Sequence, residues 1–137
     1  MNILVLCTGN SCRSQMLHGY LKTLAPEEWT IYSAGVETHG VNPIAIEVMR
    51  EARIDISDHT SDLVDDFKDV PFKYMITVCD HAKETCPYVP SDAELIHHSF
   101  DDPAKAQGTD AEVMDAFRKV RNEIGEFAEE FVATKLL

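Results

Sequence analysis

The sequence contains few basic residues: 12 Lys and Arg stand against 24 Asp and Glu, and the formal net charge is −12. Nucleic acids and anionic membranes are bound mainly through clustered Lys and Arg. The acidic composition therefore argues against both as partners. The same charge repels anionic substrates, so an anion-binding site would have to rely on hydrogen-bond donors close to the ligand.

Long apolar runs are also missing. No stretch approaches the ~18 residues that a membrane span requires, and Met1-Asn2 ahead of the first apolar run lacks the basic region of a signal peptide. We therefore expect a cytoplasmic protein, in which thiols are kept reduced. Because the 137 residues show no repeat, low-complexity segment or linker, they predict a single domain covering 1–137.

Short apolar runs alternate with segments of helical periodicity. The runs that predict strands span residues 2–7, 29–35, 73–79 and 93–99. The segments that predict helices begin at Ser14, at the Asn42-Pro43 pair, after residues 58–62 and at the Thr109–Glu112 capping box. The alternation predicts an α/β fold with an open parallel sheet of about four strands and helices on both faces.

The segment CTGNSCR joins the first strand to the first helix. A helix N-terminus presents unpaired N–H groups, and Gly9 and Asn10 permit the tight turn that would aim them at one point. Arg13 adds a planar guanidinium suited to a tetrahedral oxyanion. The predicted oxyanion-binding residues are Thr8, Gly9, Asn10, Ser11, Cys12 and Arg13.

Cys7 would lie at the floor of this loop, where the same donors favour its thiolate. We therefore expect a lowered pKa for Cys7, with a further hydrogen bond from Ser14 to its sulfur. Cys12 is interpreted as a small loop residue, with a regulatory disulfide to Cys7 as the alternative. Asp102 is held extended by Pro103 and is a candidate acid that could protonate a leaving oxygen.

Cys79 ends the predicted third strand, at the same edge of the sheet as Cys7, so the two thiols can be neighbours. Cys79 and Cys86 are too widely spaced for a typical zinc turn, and zinc is not expected. Were the segment between them helical, the pair would lie roughly 10 Å apart. A disulfide needs Cα atoms within roughly 7 Å, so its formation would require unwinding.

Together, CTGNSCRSQM, the Cys79/Cys86 pair and FDDP resemble the thioredoxin-coupled arsenate reductases, which are built on the low-molecular-weight protein tyrosine phosphatase fold with flavodoxin-like winding. The resemblance covers essentially the whole chain. It implies that Cys7 attacks arsenate held by the loop and Arg13 while Asp102 assists loss of oxygen. Cys79 then attacks Cys7 with release of arsenite, Cys86 attacks Cys79, and thioredoxin reduces the resulting disulfide.

The resemblance further implies detoxification of arsenate without a bound cofactor, and we expect a monomer. Some members of that family bind potassium through an Asn, a Glu, a Ser and an Asp. Asn10, Ser33 and Asp62 match this pattern, but His18 stands in place of the Glu, so no metal is expected. Two alternatives stay open: a phosphatase acting on phosphotyrosine, and a non-catalytic redox sensor that binds an oxyanion.

Overall fold

The structure is a computed structural model that describes residues 1–79 and 93–137. Its strands are β1 (Asn2–Cys7), β2 (Thr30–Gly35), β3 (Tyr74–Thr77) and β4 (Glu94–His97). Its α-helices are α1 (Arg13–Leu24), α2 (Pro43–Glu51) and α3 (Asp110–Phe131). Shorter helical segments are two 3-10 helices, Val64–Phe67 and Pro103–Lys105, and a π-helical turn, Val132–Leu136.

The four strands form one parallel sheet in the order β2-β1-β3-β4. β1 is central, and Ile3 to Leu6 are fully buried, as expected for an apolar strand covered on both faces. The predicted open parallel sheet is confirmed. Because the strands are parallel, their carboxyl ends lie at one edge, which is where ligands bind in such sheets.

Alternation along β2 shows how the two faces of the sheet are covered. The hydroxyl of Ser33 contacts His18 of α1. The neighbouring Tyr32 must point to the other face, where its ring packs edge-on against Phe67 of the first 3-10 helix and against Phe72. Helical segments therefore cover both faces, as the sequence predicted.

Helix starts follow the predicted capping residues. Asn42 accepts hydrogen bonds from the N–H groups of Ile44 and Ala45 at the start of α2, and Thr109 and Glu112 form a reciprocal capping box at the start of α3. The buried face of α3 packs on α1 and α2. Within the described residues, no helix combines the length and the apolar character needed to cross a membrane.

The third strand is shorter than predicted. β3 ends at Thr77, so Cys79 follows the strand instead of ending it. The backbone nevertheless stays attached to the sheet, because the N–H of Val78 donates to the carbonyl of Leu6 at 3.0 Å. Cys79 is consequently buried at the carboxyl edge of the sheet, next to the end of β1.

Candidate active site

The loop from Thr8 to Cys12 wraps around the carboxyl end of β1 and is tied down by neighbouring segments. The carbonyls of Thr8, Gly9 and Ser11 accept hydrogen bonds from the N–H groups of Glu37, His39 and Asn42. Ser61 also donates its hydroxyl proton to the carbonyl of Gly9 at 3.0 Å. These bonds take up carbonyl groups of the loop, which is consistent with an anion-binding turn whose N–H groups remain available.

Asn10 holds the turn from inside. It is fully buried with a positive φ of 48°, as predicted for a residue that tolerates the left-handed region. Its amide donates to the carbonyl of Ser33 at 3.2 Å, and its side-chain oxygen accepts from Ser14 Oγ at 2.8 Å. Since a hydroxyl has one proton, Ser14 supports Asn10 in this structure, and the predicted bond from Ser14 to the Cys7 sulfur is not formed.

Gly9 contributes to the loop in a different way from the predicted one. Its φ is not positive, so the turn does not depend on conformations reserved for glycine. A Cβ on Gly9 would instead collide with the imidazole ring of His39, which lies against the loop. His39 is thereby placed on the rim of the site, which sequence reasoning had missed.

Arg13 begins α1 and turns its guanidinium into the site. Nη1 donates to the carbonyl of Phe100 at 3.1 Å, and Nη2 lies 3.6 Å from Oδ2 of Asp102. Nε is buried and has no hydrogen-bond partner among the described residues. A buried N–H without a partner is costly in a folded protein, and an oxyanion bound at the loop would supply the missing acceptor.

Cys7 and Cys79 lie side by side at the floor of the site. Both are buried, Cys7 is hydrogen-bonded to Cys79, and Thr8 Oγ1 lies 3.2 Å from the Cys79 sulfur. The predicted proximity of these two thiols is confirmed. The second thiol therefore stands where it can react with the first.

The expectation of a lowered Cys7 pKa is wrong for this structure. The hydrogen bond with Cys79 and burial raise the pKa of Cys7, and they outweigh Arg13 and the N–H of Thr8, which lower it. Cys12 is also buried beside the loop, and burial raises its pKa to about 11. Both residues are thus neutral thiols at pH 7 in this conformation.

This correction predicts the effect of Cys79→Ala. Cys79 is the largest cause of the raised Cys7 pKa, so its removal should lower that pKa. The thiolate fraction of Cys7 and its alkylation rate at pH 7 should then rise. The measurement is the pH profile of iodoacetamide reaction, with Cys7 identified by peptide mass mapping. Cys12→Ala is the matched control and should leave the profile unchanged. An identical profile in the parent and in Cys79→Ala would contradict this origin of the raised pKa.

Asp102 is placed beside the site as predicted. Its Oδ1 accepts from the N–H of Ala104 at 3.0 Å and so caps the 3-10 helix Pro103–Lys105. Its Oδ2 faces Arg13. The carboxyl group is therefore held at the rim from two sides, and its role as an acid stays a prediction.

A cavity of about 520 Å³ unites these groups at the carboxyl edge of the sheet. Its lining comprises Cys7, Thr8, Gly9, Ser11, Cys12, Arg13, His39, Cys79, Ser99, Asp102, Ala104 and Lys105. Asn10 and Ser14 are absent from this lining because they support the loop from behind. Cys86 lies outside the described residues.

Gln15 is a further supporting residue that sequence reasoning missed. It is fully buried, and its amide nitrogen donates to the carbonyls of Asn10 and Thr60. Its side-chain oxygen lies 2.9 Å from Nδ1 of His59. The sequence did contain a signal for this role. Gln15 is an uncharged amide directly after Arg13-Ser14, and it lies beside the apolar residue Met16 in α1.

The groups considered for potassium are engaged in hydrogen bonds within the protein. Nδ1 of His18 lies 2.8 Å from Ser33 Oγ, and Asp62 accepts a hydrogen bond from Thr60. Burial, with the charges of His59 and Lys22, lowers the pKa of His18 to about 3, so His18 is neutral at pH 7. Among the described residues, no group of three or more His, Cys, Asp or Glu could hold a metal ion. The absence of a metal stays a prediction.

Comparison with known proteins places the chain in a family. The model of the low molecular weight phosphotyrosine protein phosphatases matches residues 2–136. The chain belongs to this family. Within it, the arsenate reductase of Halalkalibacterium halodurans is 51% identical over 132 residues, covering 96% of this chain and 95% of that protein. The arsenate reductase of Bacillus subtilis is 47% identical with the same coverage.

Solved structures agree with this placement. An arsenate reductase in the phosphate binding state is 31% identical with a TM-score of 0.75, covering 99% of this chain and 98% of that one. The tyrosine phosphatase AmsI of Erwinia amylovora is 25% identical with a TM-score of 0.79, covering 96% of this chain and 91% of that one. The family thus includes two chemistries, and the site must distinguish them for this chain.

Proposed function

We propose that this protein is an arsenate reductase that works through three cysteines. The observation that carries the proposal is that two buried cysteines, Cys7 and Cys79, lie together at the floor of one cavity. Hydrolysis of a phosphate ester needs one nucleophilic thiol, whereas reduction of an oxyanion by two electrons needs two thiols that end as a disulfide. The relatives that are named arsenate reductases support this choice.

In the first step, arsenate occupies the loop and accepts the N–H of Arg13 Nε that lacks a partner. The entering oxyanion displaces Cys79 from its hydrogen bond with Cys7, which removes the largest cause of the raised Cys7 pKa. Cys7 passes its proton to an oxygen of arsenate, and the thiolate, stabilised by Arg13, attacks arsenic and forms a sulfur–arsenic bond. An oxygen leaves as water, with a proton from Asp102.

In the second step, the sulfur of Cys79 attacks the sulfur of Cys7. The sulfur–arsenic bond breaks, its electron pair stays on arsenic, and arsenite leaves behind a Cys7–Cys79 disulfide. Cys86 then attacks Cys79, which releases Cys7 as a thiol and leaves a Cys79–Cys86 disulfide. Thioredoxin reduces that disulfide and is the proposed partner. The proposed enzyme acts as a cytoplasmic monomer without a bound cofactor.

A phosphotyrosine phosphatase is the second candidate, and the likeness to AmsI favours it. The composition of the cavity argues against it. Among the described residues that line the cavity there is no Phe, Tyr or Trp, and Ala104 and Lys105 follow the Asp102-Pro103 pair. An aryl phosphate would therefore find no Phe, Tyr or Trp ring to pack against at this rim.

The decisive experiment is a coupled assay. The purified protein, thioredoxin, thioredoxin reductase and NADPH should oxidise NADPH when arsenate is added, and should not do so without arsenate. Hydrolysis of an aryl phosphate is measured in parallel. Rapid hydrolysis without an arsenate response would establish the phosphatase, and oxidation of the thiols without turnover would establish the redox sensor.

A further inference from the structure

The net charge of the protein opposes the substrate that its site is built to hold. At a formal charge of −12, the protein as a whole repels an oxyanion as it approaches. The donors of the loop act only at contact distance, because exposed charges farther apart than a Debye length, about 8 Å at physiological salt, are largely screened. Capture of the anion thus depends on charges at the mouth of the cavity.

Some charged side chains at the mouth of the cavity are paired with an opposite charge, and others are not. Asp102 lies opposite Arg13, with Oδ2 and Nη2 separated by 3.6 Å, so each offsets the other. Nε2 of His39 lies 2.9 Å from a carboxylate oxygen of Glu37, which offsets any charge on that ring. Lys105 also lines the cavity, and within the described part of the chain it forms no ion pair.

The backbone around Lys105 fixes its place at the rim. Lys105 ends the 3-10 helix that Asp102 caps, and its N–H donates to the carbonyl of Asp102 at 3.2 Å. Pro103 anchors this turn because its ring is buried. The exposed side chain of Lys105 therefore starts from a held backbone.

We infer that Lys105 is the residue that captures small inorganic oxyanions at the mouth and delivers them to the loop, an inference that rests on the proposed function. A compact point charge on a flexible stem suits this task, because it can meet a hydrated anion outside the cavity and follow it inward. Lys105 is a specificity-determining residue in this account. It favours small, highly charged oxyanions over aryl esters, which would gain more from an aromatic ring at the same position.

The test measures binding without turnover, with inorganic phosphate as the probe. Phosphate bound in the loop covers the Cys7 sulfur. It should therefore slow the reaction of iodoacetamide with Cys7, as followed by peptide mass mapping, because blocked access outweighs the larger thiolate fraction that displacement of Cys79 produces. In Lys105→Gln, half-maximal protection at low ionic strength should require about 3- to 10-fold more phosphate. The difference should shrink in high salt, and Lys105→Arg should restore protection. In the coupled assay, Lys105→Gln should raise KM for arsenate by a similar factor and leave kcat unchanged.

Lys73→Gln is the matched control. It makes the same change in net charge just before β3, at the opposite end of the strand from the cavity, and should leave protection unchanged. Equal protection of the parent and Lys105→Gln at low ionic strength would overturn the inference. Failure of phosphate to protect Cys7 in the parent would overturn both the inference and the proposed function. Protection that depends on Lys105, without arsenate turnover, would overturn the proposed function alone.

Discussion

Replacing Cys7 with Ser is expected to abolish arsenate-dependent NADPH oxidation, a loss of about 10³-fold or more. The hydroxyl of Ser cannot form a disulfide with Cys79, so the electrons have no route to thioredoxin. Cys12→Ser is the control, because Cys12 lines the same cavity but has no place in the relay. A Cys7→Ser protein that kept turning over arsenate would contradict the assignment of the nucleophile.

Cys86→Ser should separate the steps of the relay. One equivalent of arsenate should be reduced, after which the protein stops with a Cys7–Cys79 disulfide, because no third thiol releases Cys7. Peptide mapping under non-reducing conditions identifies the bond. Detection of Cys7–Cys12 as the sole disulfide would reject the proposed order and favour the regulatory disulfide considered from the sequence.

Gly35→Ala is expected to damage both stability and activity. Gly35 ends β2 beside Cys7, and a Cβ there would lie 2.5 Å from the carbonyl oxygen of Glu37, 2.6 Å from that of Thr8 and 2.8 Å from the nitrogen of Asn10. These are backbone atoms, so the loop itself must shift. Overpacking of this kind lowers the free energy of unfolding by about 2 kcal/mol. Because the loop is displaced, kcat/KM for arsenate should fall about 10²-fold.

Gly9→Ala provides the comparison for this prediction. The atoms nearest to its new Cβ belong to the ring of His39, whose side chain is 54% exposed and can rotate outward. We expect Gly9→Ala to cost less than about 1 kcal/mol in unfolding free energy. The measurement is the free energy of unfolding of both variants, obtained by urea denaturation. A Gly35→Ala protein as stable as Gly9→Ala would show that the loop is not held against β2 as the structure has it.

Local sequence was sufficient to predict the architecture. Continuous apolar runs predicted the buried strands, and periodic apolar residues predicted the helices. Asn42 and Thr109 predicted where two helices start, because their side-chain oxygens can cap free N–H groups. These patterns depend only on residues that are neighbours in the chain, so they can be recognised before the fold is known. The strand before Cys79 was predicted too long because apolarity continues through Val78, which is buried but lies beyond the end of β3.

Sequence also determined the chemical identity of the site: the thiol of Cys7, the guanidinium of Arg13 and the carboxyl group beside Pro103. Their proximity to Cys79 could be inferred because parallel strands end at one edge of a sheet. The tertiary structure decided how these groups affect one another. It placed the Cys79 thiol in contact with Cys7, which reverses the expected direction of the Cys7 pKa shift, and it directed Ser14 to Asn10. It also placed His39 and Lys105 at the mouth of the cavity. Such outcomes depend on distances and burial between residues far apart in the chain, which a local pattern does not specify.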